Sequence, residues 1–344
     1  MIRLHNDYNR GACKKILEKL AQINGESYDG YGEDTWCEKA AELIREKCKA
    51  PEAAIHFLPG ATQANFIVHA AALSPIQSVI CPDSGHVYAH EAGSIENTGH
   101  KLVPLPSTDG KISAEQIREV AASYYNSGEP NYICEPKMVY ISFPTEWGTI
   151  YSEQELREIR KVCNEYGMYL FADGARLGYG LGSVKNDLTL EKLAELTDVF
   201  YIGGTKCGAL FGEALVITNK KLARKFRTYM KQNGAVMAKG WLLGMQFCSL
   251  LEDGTYEKMT AQADAYALEI KVAFKEKGIR EYVESYTNQL FVVLTKEQAE
   301  VLGKEYTFEY LQDLADGSMV VRFCTSWATT EAEKDRLIRD IRAL

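Results

Sequence analysis

The chain has 344 residues, 46% of them hydrophobic and 25% charged, which are the proportions of a soluble globular protein with room for about two domains and a sizeable core. Lys and Arg total 39 against 47 Asp and Glu, a net charge of −8, which argues against a nucleic-acid or anionic-membrane surface. The nine cysteines are scattered without a C-x-x-C pair, and no histidine or cysteine spacing suits a metal, so reduced thiols and no metal site are expected. No apolar run reaches membrane-spanning length and residues 1–6 hold no signal-peptide core, so a cytoplasmic protein is expected.

In chain order, apolar residues at helical spacing predict helices over 11–23 (Ile16, Leu17, Leu20, Ile23) and 35–48 (Trp36, Ala40, Leu43, Ile44). The glycine-rich turn Asp29 to Asp34 separates them. A short apolar strand, 53–58, ends at Pro59-Gly60, and Ala61-Thr62-Gln63-Ala64-Asn65 opens an alanine-rich helix to about Leu73. The pattern then alternates: strand 78–81, a turn to His86, helix 87–97, strand 101–105, and helix 114–125 with Ser113 and Gln116 as a capping box. Strand 138–143 follows, then a helix capped by Ser152 and Glu155 and stopped by Gly167, strand 168–173, helix 188–196 and strand 199–202. Residues 215–218 read as a strand returning antiparallel. Continuously apolar strands between helices predict an α/β fold with a mostly parallel sheet covered on both faces.

After Asn219 the texture changes. Helices near 219–232, 238–252 and 256–277 come in succession, the last ended by Gly278. Strand 289–294, helix 296–303, strands near 305–310 and 318–324 and a closing helix 330–343 predict a smaller α+β unit. The expected boundary lies near residue 250, giving a large domain 1–250 with an N-terminal arm 1–24, and a small domain 251–344.

Ligands of such sheets bind beyond the carboxyl ends of the strands. Three polar signals sit there: Asp173, Lys206 and the Ser84-Gly85-His86 turn. A fourth, Gly60-Ala61-Thr62, lies at a helix N-terminus, where free N–H groups and the dipole suit a phosphate. A lysine desolvated at a strand end is prepared to attack a carbonyl and form a Schiff base, although a glycine-rich turn also suits a solvated lysine. Asp173 could also cap a helix, and His86 equally suits a hydrogen-bonded strand-end histidine. One ligand uses all four features. Pyridoxal phosphate needs a lysine, a carboxylate opposite its ring nitrogen, a phosphate cradle and a flat side chain against the ring.

The strings Tyr31-Gly32-Glu33-Asp34, Pro59-Gly60-Ala61-Thr62-Gln63-Ala64-Asn65, His86 with Glu91, Asp173-Gly174-Ala175-Arg176-Leu177 and Thr205-Lys206 resemble, in order and spacing, the threonine aldolase/β-eliminating lyase family of fold-type-I pyridoxal-phosphate enzymes. The likeness runs from Asp7 to about Gly240, with a weaker echo at Arg322. It implies a large domain built on a mostly parallel seven-stranded sheet and a small C-terminal α+β domain. Lys206 would join the cofactor, Asp173 would face the pyridine nitrogen, His86 would stack on the ring, and Gly60, Ala61 and Thr62 would cradle the phosphate. Arg176, beside the cofactor, would hold the substrate carboxylate together with Arg322, with Asn6 standing where the family usually has a serine. The resemblance also implies a homodimer or homotetramer with the site at the dimer interface, where Lys239 and Tyr31 come from the neighbouring chain. On the residues alone, Arg322 equally suits an alternating strand and Lys239 a solvated helix start.

The implied activity is aldol cleavage of L-threonine, L-allo-threonine or a related β-hydroxy-α-amino acid to glycine and an aldehyde. The alternative is β-elimination or transamination of another amino acid. One segment departs from the family. Many threonine aldolases carry a histidine near the substrate β-hydroxyl, and within Ser142 to Thr149 that place falls to Glu146. A glutamate desolvated beside Trp147 suits a base of raised pKa, and equally a hydrogen-bonding or structural group. Gly203 and Gly204 are expected to let the backbone pass close to a bulky cofactor.

Overall fold

The computed structural model describes residues 1–344. Its strands, in chain order, are β1 (Ile2–Arg3), β2 (Ala54–Leu58), β3 (Gln77–Pro82), β4 (Lys101–Leu105), β5 (Glu135–Ser142), β6 (Tyr169–Asp173), β7 (Val199–Gly203), β8 (Glu213–Ile217), β9 (Glu281–Val283), β10 (Gln289–Leu294), β11 (Tyr306–Thr307), β12 (Glu309–Asp313) and β13 (Met319–Cys324). Seven of them form one sheet in the order β2-β8-β7-β6-β5-β3-β4. Strand β8 runs antiparallel to both neighbours, as its return after the Lys206 loop suggested, and the pairs from β7 to β4 are parallel. The fold is α/β with a mostly parallel seven-stranded sheet, and the strand order reverses between β5 and β3 in the way that opens a crevice at strand ends.

Alternation along the strands sorts the core into two layers. Val139, Ile141, Leu170, Ala172, Phe200 and Ile202 face helices Lys14–Ile23, Glu153–Tyr166 and Trp241–Leu251. Met138, Tyr140, Phe171, Val199 and Tyr201 face helix Ala61–Ala72 and the segment around Phe226 and Met230. Asp173, two residues beyond Phe171, therefore falls on the face covered by helix Ala61–Ala72. That parity sets up the site.

Strands β12-β13-β10-β9 form a separate antiparallel sheet. It packs on helices Thr255–Glu276 and Glu331–Ala343 through Ile270, Phe274, Leu290, Val292, Phe323 and Leu337. Leu4 joins this core, and β1 pairs with β11. The first residues of the N-terminal arm are therefore bound to the C-terminal sheet unit. None of the helices is long and apolar enough to cross a membrane.

Two expected helices are broken. Residues 87–97 form His86–Ala89 and Ser94–Asn97, because Ala92 and Gly93 take positive φ (51° and 74°) and turn the chain. Residues 219–232 split into Lys220–Ala223 and Phe226–Gln232 at Lys225, whose φ is 64°. The short strands β1 and β9 and helix Leu177–Gly182 carry too few periodic residues to be read beforehand.

Candidate active site

Ala61, His86, Ser142, Pro144, Glu146, Asp173, Ala175, Arg176 and Lys206 line one pocket beyond the carboxyl ends of β3, β5, β6 and β7. The lysine comes from the loop between β7 and β8. Glu213, buried at the start of β8, clamps that loop by accepting from the Gly204 amide at 2.9 Å and the Thr205 hydroxyl at 2.8 Å. The Tyr179 hydroxyl donates to the Lys206 carbonyl at 2.7 Å. Main-chain atoms are thus fixed on both sides of a side chain whose amine takes part in no ion pair. Burial lowers the Lys206 pKa, and the Arg176 charge lowers it further, against the pull of Asp7, Asp173 and Glu213. The amine is correspondingly nucleophilic. Gly203 and Gly204 are required by the packing of the chain itself. A Cβ on Gly203 would lie 2.4 Å from the Ala175 carbonyl oxygen, and one on Gly204 would lie 2.5 Å from that of Gly212. They permit backbone to meet backbone at the root of the loop.

Asp173 is buried and fully satisfied. Its Oδ2 accepts from the Tyr140 hydroxyl at 2.6 Å and from Asn65 Nδ2 at 3.1 Å, and its Oδ1 accepts from the Ala175 amide at 2.9 Å. Burial alone would raise its pKa, but His86, Tyr140 and the Ala175 amide outweigh burial and hold the carboxylate ionised. Asn65 Nδ2 also donates to Glu91 Oε1 at 2.7 Å, and that same oxygen pairs with His86 Nδ1 at 2.8 Å. Burial depresses the His86 pKa, and Glu91 with Asp173 more than restores it. Glu91, just before the turn at Ala92–Gly93, meets the Nδ1 edge of the His86 ring.

Glu146 reaches the pocket from the loop after β5. Its Oε1 accepts from the Ser142 hydroxyl at 2.6 Å and the His86 amide at 3.0 Å, while Oε2 is buried without a partner. Burial raises its pKa, and the nearby Asp173 charge adds to the rise against the Ser142 bond. The loop is braced from the small sheet. Ser285 and Thr287 both donate to the Gly148 carbonyl, and Trp147 packs on Phe291 with ring centroids 5.0 Å apart.

Helix Ala61–Ala72 points its N-terminus at the pocket; Gly60 precedes it in extended conformation with no side-chain cap, leaving the first amides free. The Thr62 side chain is exposed and borders a neighbouring depression instead. Arg176 lies in the pocket wall with Nε and Nη2 paired to Asp7. Arg322 is engaged outside the wall, by Gln289 Oε1 at 3.2 Å, the His5 carbonyl at 2.9 Å and Glu309 at 3.2 Å. Asn6 adjoins Asp7, and its Oδ1 accepts from the Tyr8 amide at 3.2 Å. Tyr31 and Lys239 do not enter this chain's own pocket. Both are exposed, and their segments are joined by the Tyr31 amide donating to the Ala238 carbonyl at 3.1 Å.

Sequence reading gave no role to Glu213, Asn65, Tyr140 or Asp7. An acidic residue opening an apolar strand is a usable signal for Glu213, since a buried polar group needs a partner. Tyr140 gave none, because its hydroxyl matters only once β5 lies beside β6.

A family model described as β-eliminating lyase matches residues 4–297. Over 349 aligned residues the chain is 31% identical to a low specificity L-threonine aldolase of Pseudomonas sp. (strain NCIMB 10558), covering 98% of this chain and 96% of that one. The solved structure of Leishmania major threonine aldolase superimposes with a TM-score of 0.97 at 43% identity, covering 100% and 99% of the two chains. A Thermus thermophilus aspartate aminotransferase shares the fold alone, with a TM-score of 0.73 at 13% identity over 100% and 92% of the chains. Matched along most of its length in sequence and along all of it in fold, the chain belongs to the threonine aldolase/β-eliminating lyase family of fold-type-I pyridoxal-phosphate enzymes.

Proposed function

We propose that the protein cleaves L-threonine, L-allo-threonine or a related β-hydroxy-α-amino acid to glycine and an aldehyde with pyridoxal phosphate as cofactor. The observation that carries this reading is the meeting of an unpaired lysine amine, an ionised buried carboxylate and an unpartnered glutamate oxygen around one pocket. The residues fit the cofactor. Lys206 offers the nucleophile, Asp173 a charge for a protonated ring nitrogen, His86 a flat ring, and the amides after Gly60 a phosphate cradle, in which the Ala61 and Thr62 backbones take part. When bound, pyridoxal phosphate supplies an electron-accepting ring conjugated with the substrate nitrogen.

The protein's own groups do the rest. Arg176, with Arg322 and Asn6 nearby, orients the substrate through its carboxylate. Glu146 Oε2 takes the β-hydroxyl proton as the Cα–Cβ bond breaks, and its raised pKa suits it to that exchange. His86, held by Glu91, keeps the ring plane fixed. The alternative of β-elimination or transamination has less support, because the full-length relative above is a threonine aldolase and the aminotransferase likeness is one of fold only.

The exposure of Tyr31 and Lys239 on one face supports a homodimer or homotetramer in which they reach a neighbouring site. The nine unpaired cysteines support a reducing, cytoplasmic setting. The deciding experiment incubates the loaded enzyme with L-threonine and L-allo-threonine and identifies the products. Acetaldehyde with equimolar glycine is expected; pyruvate or a 2-oxo acid with ammonia would overturn the reading.

A further inference from the structure

Arg176 is gripped by a part of the chain remote from the strand end that carries it. Its Nε donates to Asp7 Oδ2 at 2.7 Å and its Nη2 to Asp7 Oδ1 at 3.0 Å. This is a side-on pair between an Asp7 side chain that is 0% exposed and an Arg176 side chain that is 11% exposed. Asn288 Nδ2 adds a bond to Asp7 Oδ2 at 3.0 Å. The segment bearing Asp7 is itself tied to the small sheet. The Ile2 amide donates to the Glu305 carbonyl at 2.7 Å, Leu4 to Thr307 at 2.9 Å, and Cys324 to the Leu4 carbonyl at 2.7 Å. Asp7 is thus fixed from the C-terminal unit while it holds a residue of the large sheet.

A guanidinium offers a carboxylate two edges, side-on through Nε and Nη2 and end-on through Nη1 and Nη2. Asp7 fills the first. Nη1 takes part in no hydrogen bond, so the end-on edge stays open on Arg176, which lines the pocket with Lys206. The Asp7 charge also balances a cation that would otherwise stand uncompensated near the lysine amine. An arginine fixed before substrate arrives loses less side-chain freedom on binding.

We propose that Asp7 is a positioning residue for substrate: by occupying the side-on edge of Arg176 it presents the end-on edge to the α-carboxylate of an amino acid. The inference rests on the amino-acid substrate proposed above. It makes Arg176 a bridge between two carboxylates, one from the protein and one from the ligand.

The test titrates the pyridoxal-phosphate-loaded enzyme with glycine and with ethanolamine, which carries a hydroxymethyl group in place of the carboxylate, by calorimetry. In Asp7→Asn, which keeps the shape and removes the charge, glycine should bind at least about tenfold more weakly. Ethanolamine binding should change less than about twofold, since it has no carboxylate to lose contact with. Glycine binding that is unchanged or tighter overturns the proposal, as does an equal loss for both ligands. If Asp7→Asn does not fold, Asn288→Ser takes one donor from Asp7 and leaves the ion pair. It should weaken glycine by about two- to fivefold and spare ethanolamine, and equal effects on the two overturn the proposal. A wild-type enzyme that binds neither ligand overturns the amino-acid reading and this role with it, whereas the variant results bear on Asp7 alone.

Discussion

Asn65 Nδ2 lies 3.1 Å from Asp173 Oδ2 and 2.7 Å from Glu91 Oε1, so one amide group separates two buried carboxylates. It lets the Asp173 charge and the Glu91 charge that steadies His86 coexist on one side of the sheet. Replacing the amide with alanine leaves both carboxylates short of a donor. Asn65→Ala should cost about 1–3 kcal/mol in denaturant unfolding and weaken pyridoxal-phosphate binding. Unchanged stability together with unchanged cofactor affinity would mean that the bridge is incidental.

The base role proposed for Glu146 requires its ionised form. Its pKa is raised by burial and by Asp173, so activity should fall with decreasing pH at a higher pH than an ordinary glutamate would dictate. Glu146→Gln should lower kcat by about two to four orders of magnitude and abolish that acid limb. A variant that retains the wild-type limb would assign it to another group.

Glu213 has its pKa raised to about 8 by burial, despite the bonds from Thr205 and Gly204. Between the ordinary glutamate value and about 8 the folded protein binds this proton and the unfolded chain does not. Its contribution to stability therefore declines as pH rises through that window and is constant above it. Glu213→Gln should gain on the cofactor-free wild type as pH increases from 5 to 8, by a few kcal/mol at most, since a pKa unit is worth about 1.4 kcal/mol. Melting at several pH values reads the difference directly, and a pH-independent difference would sink the assignment.

Lys206→Ala removes an amine whose burial disfavours its charge and to which the proposed reaction gives the nucleophile's place. Activity should drop by about a thousandfold or more, and borohydride should no longer fix cofactor to the protein. The cofactor-free variant should melt at or above the wild-type temperature, because function and not stability keeps an amine there. A pronounced loss of stability would instead make Lys206 a structural residue.

Much of the fold was legible because its signals are local. Helix 114–125 begins at its capping box, the helix starting after Ser152 ends at Gly167 in left-handed conformation, and strand 289–294 is found where its apolar run lies. Residues 87–97 misled because helical spacing says nothing of the positive φ at Ala92 and Gly93. Lys206, Asp173 and His86 could be picked out because each polar residue stands at the end of an apolar strand, and parallel sheets gather such ends along one edge.

By itself the sequence determined the alternation of strands and helices, the reversal of β8 and the group of residues at the carboxyl edge of the sheet. Those follow from periodicity, capping and chain polarity within a few residues of each site. Only the tertiary structure decided which groups satisfy one another. Asp7 meets Arg176, Glu213 holds the lysine loop and Tyr140 reaches Asp173, because β5 lies beside β6 and the N-terminal arm is bound to the far end of the chain. The physical reason is that buried charge must find partners wherever folding brings them, and sequence distance places no limit on where that is.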